Sequence, residues 1–452
     1  MLYFILKIIF RVALRVFFRK IEVRNKHLIP AQGPLLIAAN HPNTFMDPIA
    51  IAAQVKQEVY FIAKGTLFNN SWHSWLLHQM NLIPVYRRED GVVTPAGNDA
   101  TFRKCIQFLN QKGTLLIFPE GNSYNERRLR PLKTGTARIA LSTEAAAGFK
   151  VGVKILPVGL NYSDPTQFRS NLFINIGEPI ALAAYETVYA ADAFAAAQQL
   201  TEELRVRLSG LVVSVADPQE DELVKQIEII YKTNLAAALG LSNRQEDKFE
   251  LTKAIVASIR YFNQQDPARV NTLQEKINCY NQNLQKLGLQ DIYLNNLRQN
   301  TSLLKDSVTT LIFLIAGLPV YVWGLITNYL PYIIPSKIAD NLTDEQEFRA
   351  PIMMTAGILT FPLFYSLFIW LFYLWQGIGW STLFFTLTLP ISGLFALHYS
   401  YRLRLTRGYL KLISVFYNRN NLINKVWQQR QEIIADLEAT KELYLQQHTQ
   451  TK

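Results

Sequence analysis

Cysteine is almost absent from this chain. Its 452 residues contain two, Cys105 and Cys279, far apart and outside any CxxC. That excludes a disulfide framework and a cysteine zinc site, and it suits a reducing compartment. Also absent are a P-loop, a glycine run of the dinucleotide-binding kind, a GxSxG around the lone Ser123, and a cluster of metal ligands. The histidines other than His41 (His27, His73, His78, His398 and His448) are scattered and read as surface or structural. Charge is missing over two long stretches, residues 308–334 and 351–401. An apolar run of about 20 residues is enough to cross a bilayer.

What is present is a basic, strongly apolar chain. The formal net charge is +11 and 49% of residues are hydrophobic. Such a balance fits a nucleic acid or an anionic membrane. Here the cations flank apolar stretches and are not interleaved with stacking aromatics, which favours the bilayer and argues against nucleic acid. The length calls for two or three folded units.

Five regions follow from the pattern. Residues 1–26 open with MLYFILKIIFRVALRVFFRK, where Lys7, Arg11, Arg15 and Arg19 recur every four residues among large apolar side chains. That is no cleavable signal peptide, which carries its charge ahead of an unbroken apolar run. The stripe predicts an amphipathic helix in the interface of an anionic bilayer, or else one packed on its own domain. Residues 27–215 alternate the runs PLLIAAN, VYFIA, NLIPVY, TLLIFPE, VKILPVGL and NLFINIG with helical stretches such as 101–111 and 134–147, the signature of an α/β fold. Residues 216–305 read as a helical extension without visible chemistry. Residues 306–401 carry hydrophobic membrane segments at about 308–334, 352–375 and 379–400, with Trp323, Tyr329, Tyr332, Trp370, Trp375 and Trp380 near their ends.

Residues 402–452 form a basic polar C-terminal helix or tail, with Arg402, Arg404, Arg407 and Lys411 at the boundary. The positive-inside rule puts this cluster and the N-terminal part in the cytoplasm. That requires an even number of crossings, so Pro319 inside the first segment is read as marking a re-entrant stretch beside two full passes. The expected location is the cytoplasmic membrane, with the catalytic domain on its cytoplasmic face.

Two constellations carry chemistry. The first is Asn40-His41-Pro42-Asn43-Thr44-Phe45-Met46-Asp47, just after the strand PLLIAA. Asp47 can accept from one ring nitrogen of His41, which leaves the other free to take a proton. A dyad with no protein nucleophile beside it suits activation of a substrate hydroxyl. The second is Phe118-Pro119-Glu120-Gly121-Asn122-Ser123 at the end of TLLIF, where a carboxylate can meet a hydroxyl and the glycine lets the backbone come close. Between them lies Ile83-Pro84-Val85-Tyr86-Arg87-Arg88, and after the second come Arg127, Arg128, Arg130 and Lys133. Arginines at strand ends can grip a phosphate bidentately. The later strand Ile155–Tyr162 shows no chemistry and reads as support.

The ordered blocks NHPNTFMDP, AKGTLF with IPVYRR, FPEGNS and ILPVGLNY resemble the glycerolipid acyltransferase superfamily over roughly residues 30–180. The resemblance implies an α/β sheet with the histidine at its mouth. It implies His41 as general base and Asp47 as its partner. It further implies Arg87 as a phosphate ligand, Glu120 and Gly121 in the acceptor site, and Asn43, Arg128 and Lys133 in the substrate-binding set. It implies no cofactor, with acyl-CoA or an acyl-carrier-protein thioester as co-substrate.

The chain departs from the commonest first block by placing five residues, not four, between His41 and Asp47. It also lacks the usual acidic residue after Lys64. The longer spacing is similar to that of fungal-type glycerol-3-phosphate and dihydroxyacetone-phosphate acyltransferases and their bacterial relatives. These relatives resemble the chain also in carrying hydrophobic passes after the catalytic domain, which the commonest short bacterial enzymes lack. Glycerol-3-phosphate is therefore the favoured acceptor, with lysophosphatidate or another lysophospholipid as the alternative. A catalytically silent lipid-binding scaffold is a further alternative, and it predicts loss of the histidine or the aspartate.

Overall fold

The computed structural model describes residues 2–85, 95–242, 244–294, 303–418 and 420–449. The chain divides into two compact units, residues 1–215 with 337–358, and residues 216–336 with 359–452.

The first unit is built on strands β1 (Lys20–Arg24), β2 (Leu35–Ala39), β3 (Val59–Lys64), β4 (Leu82–Val85), β5 (Thr114–Ile117), β6 (Lys154–Tyr162), β7 (Asn171–Ile176) and β8 (Ile180–Ala181). They form a mixed sheet in the order β1-β7-β6-β2-β5-β3-β4, with β8 beside β6. At its centre β2 runs parallel to both β5 and β6. The continuous apolar runs at the centre belong to strands covered on both faces. Leu35, Ile37 and Ala39 enter one core while Leu36 and Ala38 enter the other.

Helices α1 (Leu2–Phe17), α2 (Met46–Ala52), α3 (Ser71–Gln79), α4 (Pro95–Asn110), α5 (Gly135–Ala145), α6 (Glu186–Ala191) and α7 (Ala193–Leu211) fill the connections. Leu14 and Phe17 of α1 and Met46, Ala50 and Ile51 of α2 cover the first face. Leu109, Leu141, Leu200 and Leu204, from α4, α5 and α7, cover the second.

The N-terminal region differs from expectation in two ways. Residues 1–26 are not one helix, because Lys20–Arg24 leave it to pair with β7 at the sheet edge. Charges at alternating positions of that edge strand continue the basic stripe of the helix and conceal the change of period. The stripe itself turns partly inward. Lys7 Nζ donates to the carbonyls of Val55 (2.8 Å) and Gln57 (3.1 Å), and Arg11 donates to that of Ala53 (2.9 Å). These carbonyls lie at and just past the C-terminus of α2, where cations are favoured. Burial and the neighbouring Arg11 lower the Lys7 pKa. Phe4, Ile5, Ile8, Val12 and Val16 of α1 are exposed, alongside Arg11 and Arg15.

The second unit is helical: α8 (Pro218–Ala238), α9 (Gln245–Gln265), α10 (Pro267–Leu287), most of α11 (Leu303–Leu342) and of α12 (Gln346–Gln376), α13 (Trp380–Asn418) and α14 (Asn420–Thr449). Asp217 and Asp266 cap α8 and α10, each followed by proline in the first turn. A buried ion pair, Arg430 Nε to Asp291 Oδ1 at 2.8 Å, joins α14 to the segment after α10.

Three helices, within Thr309–Leu342, Gln346–Gln376 and Trp380–Val415, are long and apolar enough to cross a membrane. The expected re-entrant stretch is not seen. α11 runs unbroken through Pro319, Pro331 and Pro335. Pro335 cannot donate to the carbonyl of Pro331, and Thr360 Oγ1 donates to it instead at 3.1 Å. Asn328 ties the three helices together. Its Oδ1 accepts from Tyr365 OH at 2.6 Å and its Nδ2 donates to the Leu389 carbonyl at 3.1 Å. Gly393 leaves the room, since a Cβ there would lie 2.5 Å from Asn328 Oδ1.

Replacing Asn328 by Leu removes both ties, each worth about 0.6–2 kcal/mol between apolar helices. The expected outcome is a lower thermal midpoint in detergent and faster proteolysis at the turn 377–379. An unchanged midpoint would mean that apolar packing alone holds the three helices.

Candidate active site

Ligand sites of open α/β sheets lie at the carboxyl ends of the strands. Here the order β5-β2-β6 brings three distant segments to one such end. They are the turn after β2 (residues 40–47), the turn after β5 (residues 118–124) and the end of β6. Asn40 fastens the first to the third, because its Nδ2 donates to the Leu160 carbonyl (3.0 Å) and its Oδ1 accepts from Leu160 N (2.7 Å).

His41 and Asp47 meet as their spacing predicts. His41 Nδ1 lies 2.9 Å from Asp47 Oδ2, and a carboxylate can only accept, so Nδ1 carries the proton. The His41 ring stacks on Phe118 with centroids 3.8 Å apart. Its side chain is 17% exposed, whereas Asp47 is fully buried. Nε2 has no protein partner among the described residues.

A buried carboxylate is costly unless its oxygens are satisfied. Asp47 Oδ2 also accepts from Asn43 N at 2.7 Å, and Oδ1 accepts from Tyr162 OH at 2.7 Å. Asp47 lies in the first turn of α2, where free backbone N–H groups favour negative charge. Burial and the facing Asp47 carboxylate raise the Tyr162 pKa well above normal, so Tyr162 remains a donor. Tyr162 ends the strand that the sequence marked only as support. The signal for it was the polar pair Asn161-Tyr162 closing an apolar run.

The turn between His41 and Asp47 is strained. Thr44 has φ +31°, a left-handed conformation costly for a β-branched residue, on the order of 1–3 kcal/mol. Two hydrogen bonds from outside the turn hold it. Thr44 N donates to Ser123 Oγ at 2.8 Å, and Thr44 Oγ1 donates to the Glu347 carbonyl at 3.0 Å. Asn43 is 0% exposed and its Nδ2 donates to the Pro165 carbonyl at 2.9 Å. Its Oδ1 is buried with no hydrogen-bond partner among the described residues, while Nδ2 braces the turn.

Glu120 links the turn to the basic loop. Oε1 accepts from His41 N (3.0 Å) and Oε2 from Arg130 N (3.1 Å). Tyr124 N adds a bond to the His41 carbonyl at 3.1 Å. Burial raises the Glu120 pKa, and the two backbone donors oppose that rise. Gly121 follows with φ +87°, in the left-handed region, and a Cβ there would lie 2.9 Å from Lys133 Nζ. The loop thus carries Lys133 back beside Gly121. Arg128 is exposed on this loop. Arg130 lies over the Tyr124 ring at 3.6 Å and pairs with Glu126. Arg87 falls outside the described residues. Away from the site, burial pushes the Cys105 thiol up to about 12.

Residues 20–161 match the Acyltransferase family model. The chain is 25% identical over 369 residues to an uncharacterized acyltransferase of Schizosaccharomyces pombe, covering 62% of this chain and 53% of that protein. It is 25% identical over 373 residues to glycerol-3-phosphate O-acyltransferase 1 of Saccharomyces cerevisiae, covering 63% of this chain and 48% of that protein. It is 25% identical over 197 residues to 1-acyl-sn-glycerol-3-phosphate acyltransferase of Bacillus subtilis, covering 42% of this chain and 87% of that protein. The chain spans about half the length of the two yeast relatives. Residues 20–161 therefore form an acyltransferase-family domain, beginning at the edge strand β1.

Two outcomes follow for stability. Tyr162→Phe removes a hydrogen bond to a buried charge, and a loss of about 1.5–3 kcal/mol is expected in denaturant unfolding. In an Asp47→Ala background the same change should cost clearly less; equal costs would show that Tyr162 does not act on Asp47. For Glu120, a raised pKa means the folded chain holds its proton to higher pH than the unfolded chain. Stability attributable to this group therefore falls as pH rises from about 4.3 through the raised value. Glu120→Gln should remove that slope in pH-dependent unfolding. It should also lower stability overall, because its amide sets an N–H against a backbone N–H.

Proposed function

We propose that this protein is a membrane-bound glycerolipid O-acyltransferase. It moves a fatty acyl chain from an acyl-CoA or acyl-carrier-protein thioester to a hydroxyl of a glycerol-phosphate precursor, with glycerol-3-phosphate as the favoured acceptor. The observation that carries the reading is the His41–Asp47 dyad, with its carboxylate buried and held and its Nε2 clear of protein partners among the described residues.

The acceptor hydroxyl donates to His41 Nε2. As its oxygen attacks the thioester carbonyl carbon, the proton passes to Nε2 and the new C–O bond forms. The imidazolium is stabilised by Asp47, whose charge the Tyr162 and Asn43 donors hold in place. The tetrahedral intermediate collapses, the C–S bond breaks, and the departing thiolate takes the proton from Nε2. His41 returns to its starting state, and no acyl-enzyme is formed. Arg128 and Lys133, with Arg87, are the cations we assign to the acceptor phosphate, because guanidinium and ammonium groups on strand-end loops suit that charge. The thioester is a co-substrate, and these steps use no further cofactor.

Acceptor choice rests on the five-residue His41–Asp47 spacing and on the yeast relative named as a glycerol-3-phosphate O-acyltransferase. Lysophosphatidate is the second reading, favoured by the Bacillus subtilis relative. The three apolar helices support a membrane location. Three full passes would put Arg402–Lys411 on the face opposite the residues before α11, so the cytoplasmic face we propose for the catalytic domain rests on the basic N-terminal part alone.

The test is acyl transfer from radiolabelled acyl-CoA by purified protein, with glycerol-3-phosphate and lysophosphatidate offered separately. Product from glycerol-3-phosphate alone is expected, and His41→Ala should lower kcat by about 10²–10⁴-fold. Product from lysophosphatidate alone would move the acceptor to the second reading. A His41→Ala protein as active as the parent would end the role of His41 as general base, and the direct-transfer mechanism with it.

A further inference from the structure

We infer that residues 346–350, at the start of the second apolar helix, are positioning residues of the active site. The inference rests on the acyl-transfer reading, and it concerns a segment 303 residues from the catalytic turn.

Thr44 lies between His41 and Asp47, and its φ of +31° persists only where its surroundings over-determine it. One of its two restraining bonds comes from the 118–124 turn, through Ser123. The other comes from the Glu347 carbonyl at 3.0 Å. A change of φ at Thr44 would redirect the backbone that joins His41 to Asp47, and with it the aim of the carboxylate at the ring.

Neighbouring contacts repeat the pattern. Phe45, the next residue, is 42% exposed and sets its ring edge-on to Phe348 with centroids 6.1 Å apart. Asn125 Nδ2 donates to Gln346 Oε1 at 3.1 Å, one residue after the Tyr124 that bonds the His41 carbonyl. Arg349 donates to the Thr166 carbonyl at 3.1 Å, beside the Pro165 carbonyl that accepts from Asn43. Beneath them Ala350 and Met354, 0% and 3% exposed, lie in the same core as Met46 and Ile51 of α2. The segment is thus anchored in the sheet's first core and touches the turn or its supports at several separate points.

These residues open α12, which continues as a helix long enough to cross a membrane. The element that holds the strained catalytic turn is therefore the first turn of an apolar helix. The segment's contacts are to the turn and its supports, so the effect we expect from it is on the reaction rate.

Steady-state acyl transfer by the full-length protein in phosphatidylcholine vesicles tests this. Thr44→Val keeps the shape and removes the hydroxyl donor; Thr44→Ser keeps the donor; Phe348→Ala removes the ring under Phe45. Thr44→Val and Phe348→Ala are each expected to lower kcat about tenfold with KM for both substrates unchanged, and Thr44→Ser to stay near the parent. If Thr44→Val does not fold, Phe348→Ala alone decides the matter. A parent-like kcat in the folded variants, or a rise in KM at constant kcat, overturns the inference and leaves the acyl-transfer reading standing. A parent protein inactive on every acceptor, with either class of thioester donor, overturns that reading itself.

Discussion

The buried carboxylate of Asp47 is the constraint on which the rest of the first unit depends. It accepts from His41, from the backbone of Asn43 and from Tyr162. Charge without exposure is tolerable only because all three donors are delivered. Delivering them requires β2 to lie beside β6, so that Tyr162 reaches across. It requires the turn after β2 to be bent tightly enough to present Asn43 N and the His41 ring together. Asn40, Glu120 and Ser123 are the ties that keep that turn in place. None of these ties needs to touch a substrate for the site to depend on it.

Glu120 shows how this changes the meaning of a motif. Read along the sequence, a carboxylate at a strand end is free to meet a hydroxyl. In the structure each of its oxygens already accepts a backbone N–H, one from the His41 turn and one from the basic loop. It therefore sets the distance between the dyad and the cations of residues 127–133. A group whose burial already raises its pKa can hold that position because its bonds are to backbone, which neither titrates nor rotates away.

Much of this was legible from residue order alone. All six apolar runs became strands; those at the centre are apolar throughout because both faces are covered, while β4 at the edge is half-buried. The His41–Asp47 contact followed from spacing. What escaped were contacts made across the fold. Tyr162 looks like the end of a supporting strand until β6 is placed beside β2. Glu347 acts through its backbone carbonyl, so nothing in its side chain marks it. Lys7 and Arg11 were legible as a stripe, but their partners are carbonyls near the C-terminus of α2, which no periodicity reveals. Pro319 argued for a break that α11 does not make. An apolar helix can keep its course past a proline when its surroundings answer the freed backbone, as Thr360 answers it one step further along at Pro331.

The strain at Thr44 sits between two fixed points of the chain, His41 and Asp47. Both ends of this stretch are fixed, His41 by its stack on Phe118 and Asp47 by its place in the first turn of α2. The chain must fit its five intervening residues into that span. It does so by turning Thr44 into the left-handed region, where a threonine is poorly suited. Such a turn is stable only if both of its flanks are tied down. One flank is served by Ser123, and the second is served from the start of an apolar helix. The turn and the start of that helix are then parts of one arrangement, since the first is strained and the second supplies a bond that holds it.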